Sequence, residues 1–300
     1  MNAQDRWLAT RKTGVGGSDA AAALGQSMHK TAFQLFQEKT GLIEAQIIGL
    51  EAIERTEFGK LLEAPIAMMY ERRYGVKLRR HPKIIRHRKY PWMLGSLDRT
   101  IIGKREGLEI KNVDSLAYRF GAWGPEHSDV IPAEYTLQTM HYMALTGYER
   151  WHLAACVGGN RLVVYHIERD EEMIEMLIDG EHEFWQYVER NEPPPLDYAH
   201  RTAIDLLKRM YPGTDGSTMR LDATCEGMHH ARLEFEELAK EMQAGADAAK
   251  AFILHRMGSA ALGTLPHGGG YRRKVVNRKG YEVEPSTYVD FRYTKKGEPE

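Results

Sequence analysis

The chain has 300 residues, 42% of them hydrophobic and 28% charged, which supports one large core, or one core with a smaller lobe, and excludes three ordinary domains. With 41 Lys and Arg against 42 Asp and Glu the net charge is -1, so any pull on a polyanion has to come from local segregation of charge. Cys156 and Cys225 are too few for a disulfide framework or a four-cysteine metal site. A polar N-terminus (MNAQDRWLATRK) and the lack of any apolar run near ~20 residues argue against a signal peptide or a membrane span, so the expected setting is the reducing cytoplasm.

Charge is segregated along the chain. Arg72 to Lys89 holds nine Lys or Arg and no acid, and Arg272 to Lys296 holds eight against three acids, whereas Glu168 to Glu192 is acidic. No fixed-period repeat or low-complexity tract is present.

In chain order, Ser18 to Leu24 reads as a short helix opened by an N-cap serine after a glycine-rich bend, and Thr31 to Thr40 as a helix stopped by Gly41. Glu57 to Tyr74 places Leu61, Leu62, Ile66, Met69 and Tyr70 at helical spacing before Gly75, with Pro65 expected to kink it. Lys83 to Arg88, Trp92 to Ile102 and Gly107 to Val113 read as an antiparallel meander. A helix over Ala133 to Thr146 follows. Strands at Trp151 to Val157 and Arg161 to Ile167 flank the hairpin turn Gly158-Gly159-Asn160, and a helix over Asp170 to Arg190 has a core stripe of Met173, Leu177, Phe184 and Val188. The NEPPP segment predicts a boundary, giving a core over residues 1–196 and a second module over 197–300. That module reads as helices at Ala203 to Met210 and Met228 to Met257, then a basic strand region from Tyr271 to Lys295 with a turn at Asn277 to Gly280. The expected fold class is α+β, a mixed central sheet flanked by helices, with a C-terminal helical and β-hairpin extension.

The chemistry concentrates in GSLDRTIIGKREGLEIKN. Asp98 ends one hairpin arm, and Glu109 and Lys111, two apart, share a face of the other. Two carboxylates and an amine are the parts of a Mg²⁺-dependent phosphodiesterase: hard oxygen ligands, and a cation to hold or activate water. The bland alternative is a solvated salt bridge on a hairpin. Gln138 and Tyr142, at i and i+4 of the next helix, are suited to orient a phosphate or water, while Glu63 lies in a helix among apolar neighbours, pointing to a ligand or to solvent. RKTGVGGSD lacks the Gly-Lys-Ser/Thr ending of a P-loop, which leaves an anion site at Ser18 or a plain N-cap. His229-His230 lacks spaced partners for zinc.

The ordered set GVGGSDAAAALG, GKLLEAPIA, GSLDR, LEIKN and QTMHY resembles the YqaJ-type phage recombinase nucleases, lambda exonuclease-like members of the PD-(D/E)xK superfamily, over roughly residues 5 to 190. One departure is Leu97, where the family usually has proline. The resemblance implies a restriction-endonuclease-like core and a DNA exonuclease that degrades 5′ ends of linear duplex to leave 3′ overhangs. It implies that Asp98, Glu109 and the Ile110 carbonyl hold one or two Mg²⁺ (or Mn²⁺) ions, with Glu63 as a further ligand, direct or through water. It gives Lys111 the task of positioning or deprotonating the water, Gln138 a place beside the catalytic centre with Tyr142 supporting it, and Arg11, Ser18 and Ser96 the terminal 5′-phosphate. A single-strand annealing recombinase as partner and a trimeric ring are implied as well. The same metal site would serve an endonuclease or nickase, and a non-catalytic DNA-binding factor is the contrasting class.

Overall fold

The computed structural model describes residues 3–42, 50–81 and 83–275. The chain forms two compact units, the first ending at Tyr211 and the second beginning at Pro212.

The first unit opens with α1 (Ala3–Arg11), β1 (Val15–Gly16), a 3₁₀ turn (Gly17–Asp19) and α2 (Ala20–Ala23). Next come α3 (Ala32–Thr40), α4 (Leu50–Tyr74), β2 (Leu78–Arg80), β3 (Ile85–Arg86), β4 (Met93–Gly95), β5 (Arg99–Ile101) and β6 (Glu106–Val113). The unit closes with α5 (Ser115–Phe120), α6 (Ala133–Thr146), β7 (Arg150–Val157), β8 (Arg161–Glu168), α7 (Glu171–Arg190) and α8 (Ala203–Met210). Local chemistry sets many of these bounds. Thr31 accepts from the Gln34 amide at the start of α3, Asp170 accepts from the Met173 amide at the start of α7, and Gly41 and Gly147 take left-handed conformations at helix ends.

A mixed five-stranded sheet in the order β2-β5-β6-β7-β8 is the frame. Within this sheet β6 and β7 run parallel and the other neighbours antiparallel, and α6 lies in the crossover between β6 and β7. Alternation along β7 sends Trp151, Leu153, Ala155 and Val157 into the larger core, with α2, α6 and α7, and Ala154 into a smaller core with Ile66, Ala67 and Tyr70 of α4. Both faces being covered, most of β7 is buried.

Four expectations change. Trp92 to Ile102 is not one strand: β4 joins β1 and β3 in a separate three-stranded sheet and β5 joins the main one, so the meander is split. The break follows Gly95, where a Cβ would stand 2.2 Å from Leu145 Cδ2, so the chain passes too close to α6 for any side chain. Helix α4 buries Ile66, Ala67 and Tyr70 but leaves Leu61 and Met69 exposed. It runs through Pro65, which lies on its exposed side, where the freed carbonyl can meet water. Ser18 is not an N-cap but sits inside the 3₁₀ turn. Finally, NEPPP does not end the first unit: Ala203 and Leu206 of α8 are buried, and His200 Nε2 bonds the Ser27 carbonyl at 2.9 Å.

The second unit holds α9 (Ala223–Met257), capped by Asp222, and a hairpin of β9 (Leu262–Thr264) and β10 (Gly270–Arg272). The rest of the basic strand region, with the Asn277 to Gly280 turn, lies outside the described residues. Among the described residues no helix is long and apolar enough to cross a membrane.

Candidate active site

The β5–β6 hairpin and α6 bring four of the expected residues together. Arg99 pairs with Leu108, which sets Asp98 opposite Glu109 one step outward, and Asp98 Oδ2 accepts from the Ile110 amide at 2.9 Å. Glu109 projects toward α6, where its Oε1 accepts from Lys111 Nζ at 2.6 Å and from Gln138 Nε2 at 2.8 Å. Gln138 Oε1 accepts from Lys111 at 3.1 Å, which closes a three-residue ring. Glu109 is 3% exposed, and its second oxygen, Oε2, is buried with no hydrogen-bond partner.

An orphaned carboxylate oxygen beside a second carboxylate is an electrostatic deficit. Burial, and then the charge of Glu109, push the Asp98 carboxyl well above its ordinary range. Lys111 is shifted upwards as well. Burial alone would lower its pKa, but Glu109 and then Asp98 outweigh it and raise the ammonium above its usual value, so it stays charged. The Lys111 ammonium also lies 5.0 Å from the Tyr135 ring centroid. Tyr142 holds Gln138 from behind. Its hydroxyl accepts from Gln138 Nε2 at 3.0 Å and donates to the Ser96 carbonyl at 3.3 Å. Burial and Glu109 raise its pKa well above the usual phenol range, so it remains protonated.

Asp98, Glu109, Gln138 and Tyr142 share a cavity of about 190 Å³ with Arg11, Gly17, Ser18 and Ser96. Arg11 Nη2 donates to Ser18 Oγ at 2.9 Å and to Asp19 Oδ1 at 3.2 Å, and its guanidinium lies 5.0 Å from the Trp7 ring centroid. The glycine loop fits under α6 because a Cβ on Gly17 would stand 2.6 Å from the Tyr142 ring. Arg11, Ser18 and Ser96 therefore face the carboxylate pair across one cavity.

Glu63 stands apart from this set. Its carboxylate is engaged by Arg99 Nη1, which also donates to the Asp98 carbonyl at 2.6 Å. Among the described residues no three histidine, cysteine or carboxylate side chains form a metal-binding group. The donor set that fits a cation is thus the carboxylate pair with its orphaned oxygen, completed by backbone or water oxygens.

Two buried pairs escaped the sequence reading. Asp19 accepts from Lys39 Nζ at 2.7 Å and from the Gly16 amide at 3.3 Å, anchoring the loop that carries Arg11 and Ser18. Burial by itself would raise the Asp19 carboxyl, but Lys39 and then Arg11 hold it well below the carboxylate range. His141, inside QTMHY, has Glu181 Oε1 at 2.7 Å on Nδ1 and the Leu94 carbonyl at 2.7 Å on Nε2. Burial works against its charge, yet Glu181 raises its pKa, and the pair ties α6 to α7 and β4. The only sequence signals were the S-D and M-H dipeptides inside the motifs.

Residues 6–149 match the YqaJ-like viral recombinase domain. The chain is 34% identical over 281 residues to the uncharacterized protein YqaJ of Bacillus subtilis (strain 168), covering 92% of this chain and 85% of that one. Solved structures similar to it include an alkaline exonuclease (LHK-Exo) from Laribacter hongkongensis, with a TM-score of 0.49, 19% identity, and coverage of 68% of this chain and 96% of that one. Another is a phage-related exonuclease from Haemophilus somnus 129PT, with a TM-score of 0.44, 14% identity, and coverage of 59% and 96%.

Proposed function

The chain belongs to the family of YqaJ-like viral recombinase domains, and from that premise we propose that it is a metal-dependent deoxyribonuclease that degrades the 5′ ends of linear duplex DNA. The observation that carries this reading is the buried, unpartnered Oε2 of Glu109 beside Asp98, in the same cavity as Arg11 and Ser18. A carboxylate pair that is costly to keep ionised side by side is suited to a divalent cation, and a guanidinium beside a serine hydroxyl is suited to a phosphate.

Asp98, Glu109 and the Ile110 carbonyl would hold Mg²⁺ or Mn²⁺, hard ions that favour oxygen ligands. The ion supplies a Lewis acid that offsets phosphoryl charge. The protein's own groups do the rest. Lys111 holds Glu109 in place and would position or deprotonate the attacking water while offering positive charge to a phosphate oxygen. Gln138 clamps Glu109 and Lys111 in mutual register, and Tyr142 locks the Gln138 amide. Glu63 acts through Arg99, which braces the Asp98 backbone. Arg11, Ser18 and Ser96 would seat the terminal 5′-phosphate. The product would be a 3′ single strand, the substrate of a strand-annealing recombinase.

The test is a time course on end-labelled linear duplex and on covalently closed circles, with Mg²⁺ or with EDTA. Linear duplex should be shortened from 5′ ends only with metal, and Glu109→Gln and Lys111→Met should each slow this by about 10²- to 10³-fold while retaining DNA binding. Cutting of closed circles at a similar rate would replace the exonuclease with a nickase, and full activity in EDTA would remove the metal.

A further inference from the structure

Helix α9 runs for 35 residues and buries none of them. Helices in water take most of their stability from packing an apolar face, and this one also carries Gly227 and Gly245 in its interior. It is built to be covered. Met228, Phe235, Leu238, Met242 and Phe252 fall at the a and d positions of one heptad frame. The remaining seam positions between Met228 and Phe252 are Ala231, Gly245 and Ala249, so large and small residues are distributed unevenly along the seam.

That unevenness selects the occupant. In an antiparallel pair with its two-fold axis near Lys240, Phe235 meets the partner's Gly245, Met228 meets the partner's Phe252, and Leu238 meets the partner's Met242. The alanines face each other, and Arg256, at the last seam position, meets the partner's Thr224. A parallel pair would instead stack Gly245 on the partner's Gly245, leaving a void, and Arg256 on the partner's Arg256. The five large seam residues are 67, 70, 47, 65 and 65% exposed in chain order. Covering them removes on the order of 600 Å² per copy, or about 1,200 Å² per pair, at the lower end of standard specific interfaces.

We propose that α9 is a self-association element, pairing antiparallel with α9 of a second copy of this chain. The pairing is independent of the nuclease reading, and its test reads mass and cross-linking. In sedimentation equilibrium on the full chain, wild type should have twice the particle mass of Leu238→Glu. For orientation, Ala231→Cys and Ala249→Cys, each in a Cys156→Ser and Cys225→Ser background, are mixed and oxidised. Disulfides should join the two species, whereas disulfides only within each species refute the antiparallel register. Equal masses for wild type and Leu238→Glu at every concentration overturn the proposal, including the case in which another protein or another part of the same chain covers the seam.

Discussion

Asp19→Asn keeps the shape of the loop below Arg11 but removes the charge that neutralises Lys39. The carboxylate is 4% exposed, and the Lys39 side chain, 2.7 Å away, is 6% exposed. Asparagine therefore leaves a buried ammonium facing a neutral amide. Breaking a buried pair in this way costs about 3–5 kcal/mol, whereas the more exposed contact with Arg11, at 3.2 Å, adds little. For a unit of this size the cost corresponds to a fall in Tm of roughly 6–20 °C. Tryptophan emission is the assay, because the five tryptophans all precede Tyr211 and report on the first unit. Adding Lys39→Met, which removes the stranded charge, should recover part of the loss. The pH dependence follows from the depressed carboxyl. A folded-state pKa below the unfolded one contributes stability that is present above the unfolded value and is lost as pH falls through the folded one. The gap between wild type and Asp19→Asn should thus be flat at neutral pH and start to close only below about pH 4. A Tm within about 2 °C of wild type at pH 7, or a gap that widens on acidification, would show that this pair does not anchor the loop.

Asp98 gives the reverse sign: its folded-state pKa is raised, so its contribution is favourable below the unfolded pKa and is lost as pH rises through the folded value. Asp98→Asn should therefore raise the Tm of the metal-free protein at pH 7 by at least roughly 2 °C while removing cleavage, and thermal scans in EDTA check it. Arg11→Ala should reduce turnover of 5′-phosphorylated ends by about 10- to 150-fold, the equivalent of a lost charge-assisted contact, and should leave 5′-hydroxyl ends nearly unaffected. An equal loss on both ends, measured in parallel digestions, would make Arg11 a general backbone contact.

Much of the frame was legible because its signals are local. Helices α3, α6 and α7 start at capping residues or after Pro132 and end at Gly41, Gly147 and Asn191, each in the left-handed conformation, and the β7–β8 hairpin turns on two positive-φ glycines. Asp98, Glu109, Lys111, Gln138 and Tyr142 were legible for the same reason, since strand alternation and the i,i+4 spacing place them on shared faces before any packing is known. Sheet membership was not. Trp92 to Ile102 has the apolar content of a single strand, yet its halves enter different sheets, with the break just after Gly95, where the backbone passes close to Leu145 of α6. The end of the first unit was hidden likewise, because three prolines look like a linker whether or not the helix beyond them packs back, as α8 does. Least legible were the charges that hold the site in place. Asp19 with Lys39, Glu63 with Arg99 and His141 with Glu181 are 20, 36 and 40 residues apart, and each is tolerable in its buried or half-buried place only because the fold delivers the opposite partner. A sequence states which side chains carry charge, but the desolvation that makes a charge consequential belongs to the tertiary structure.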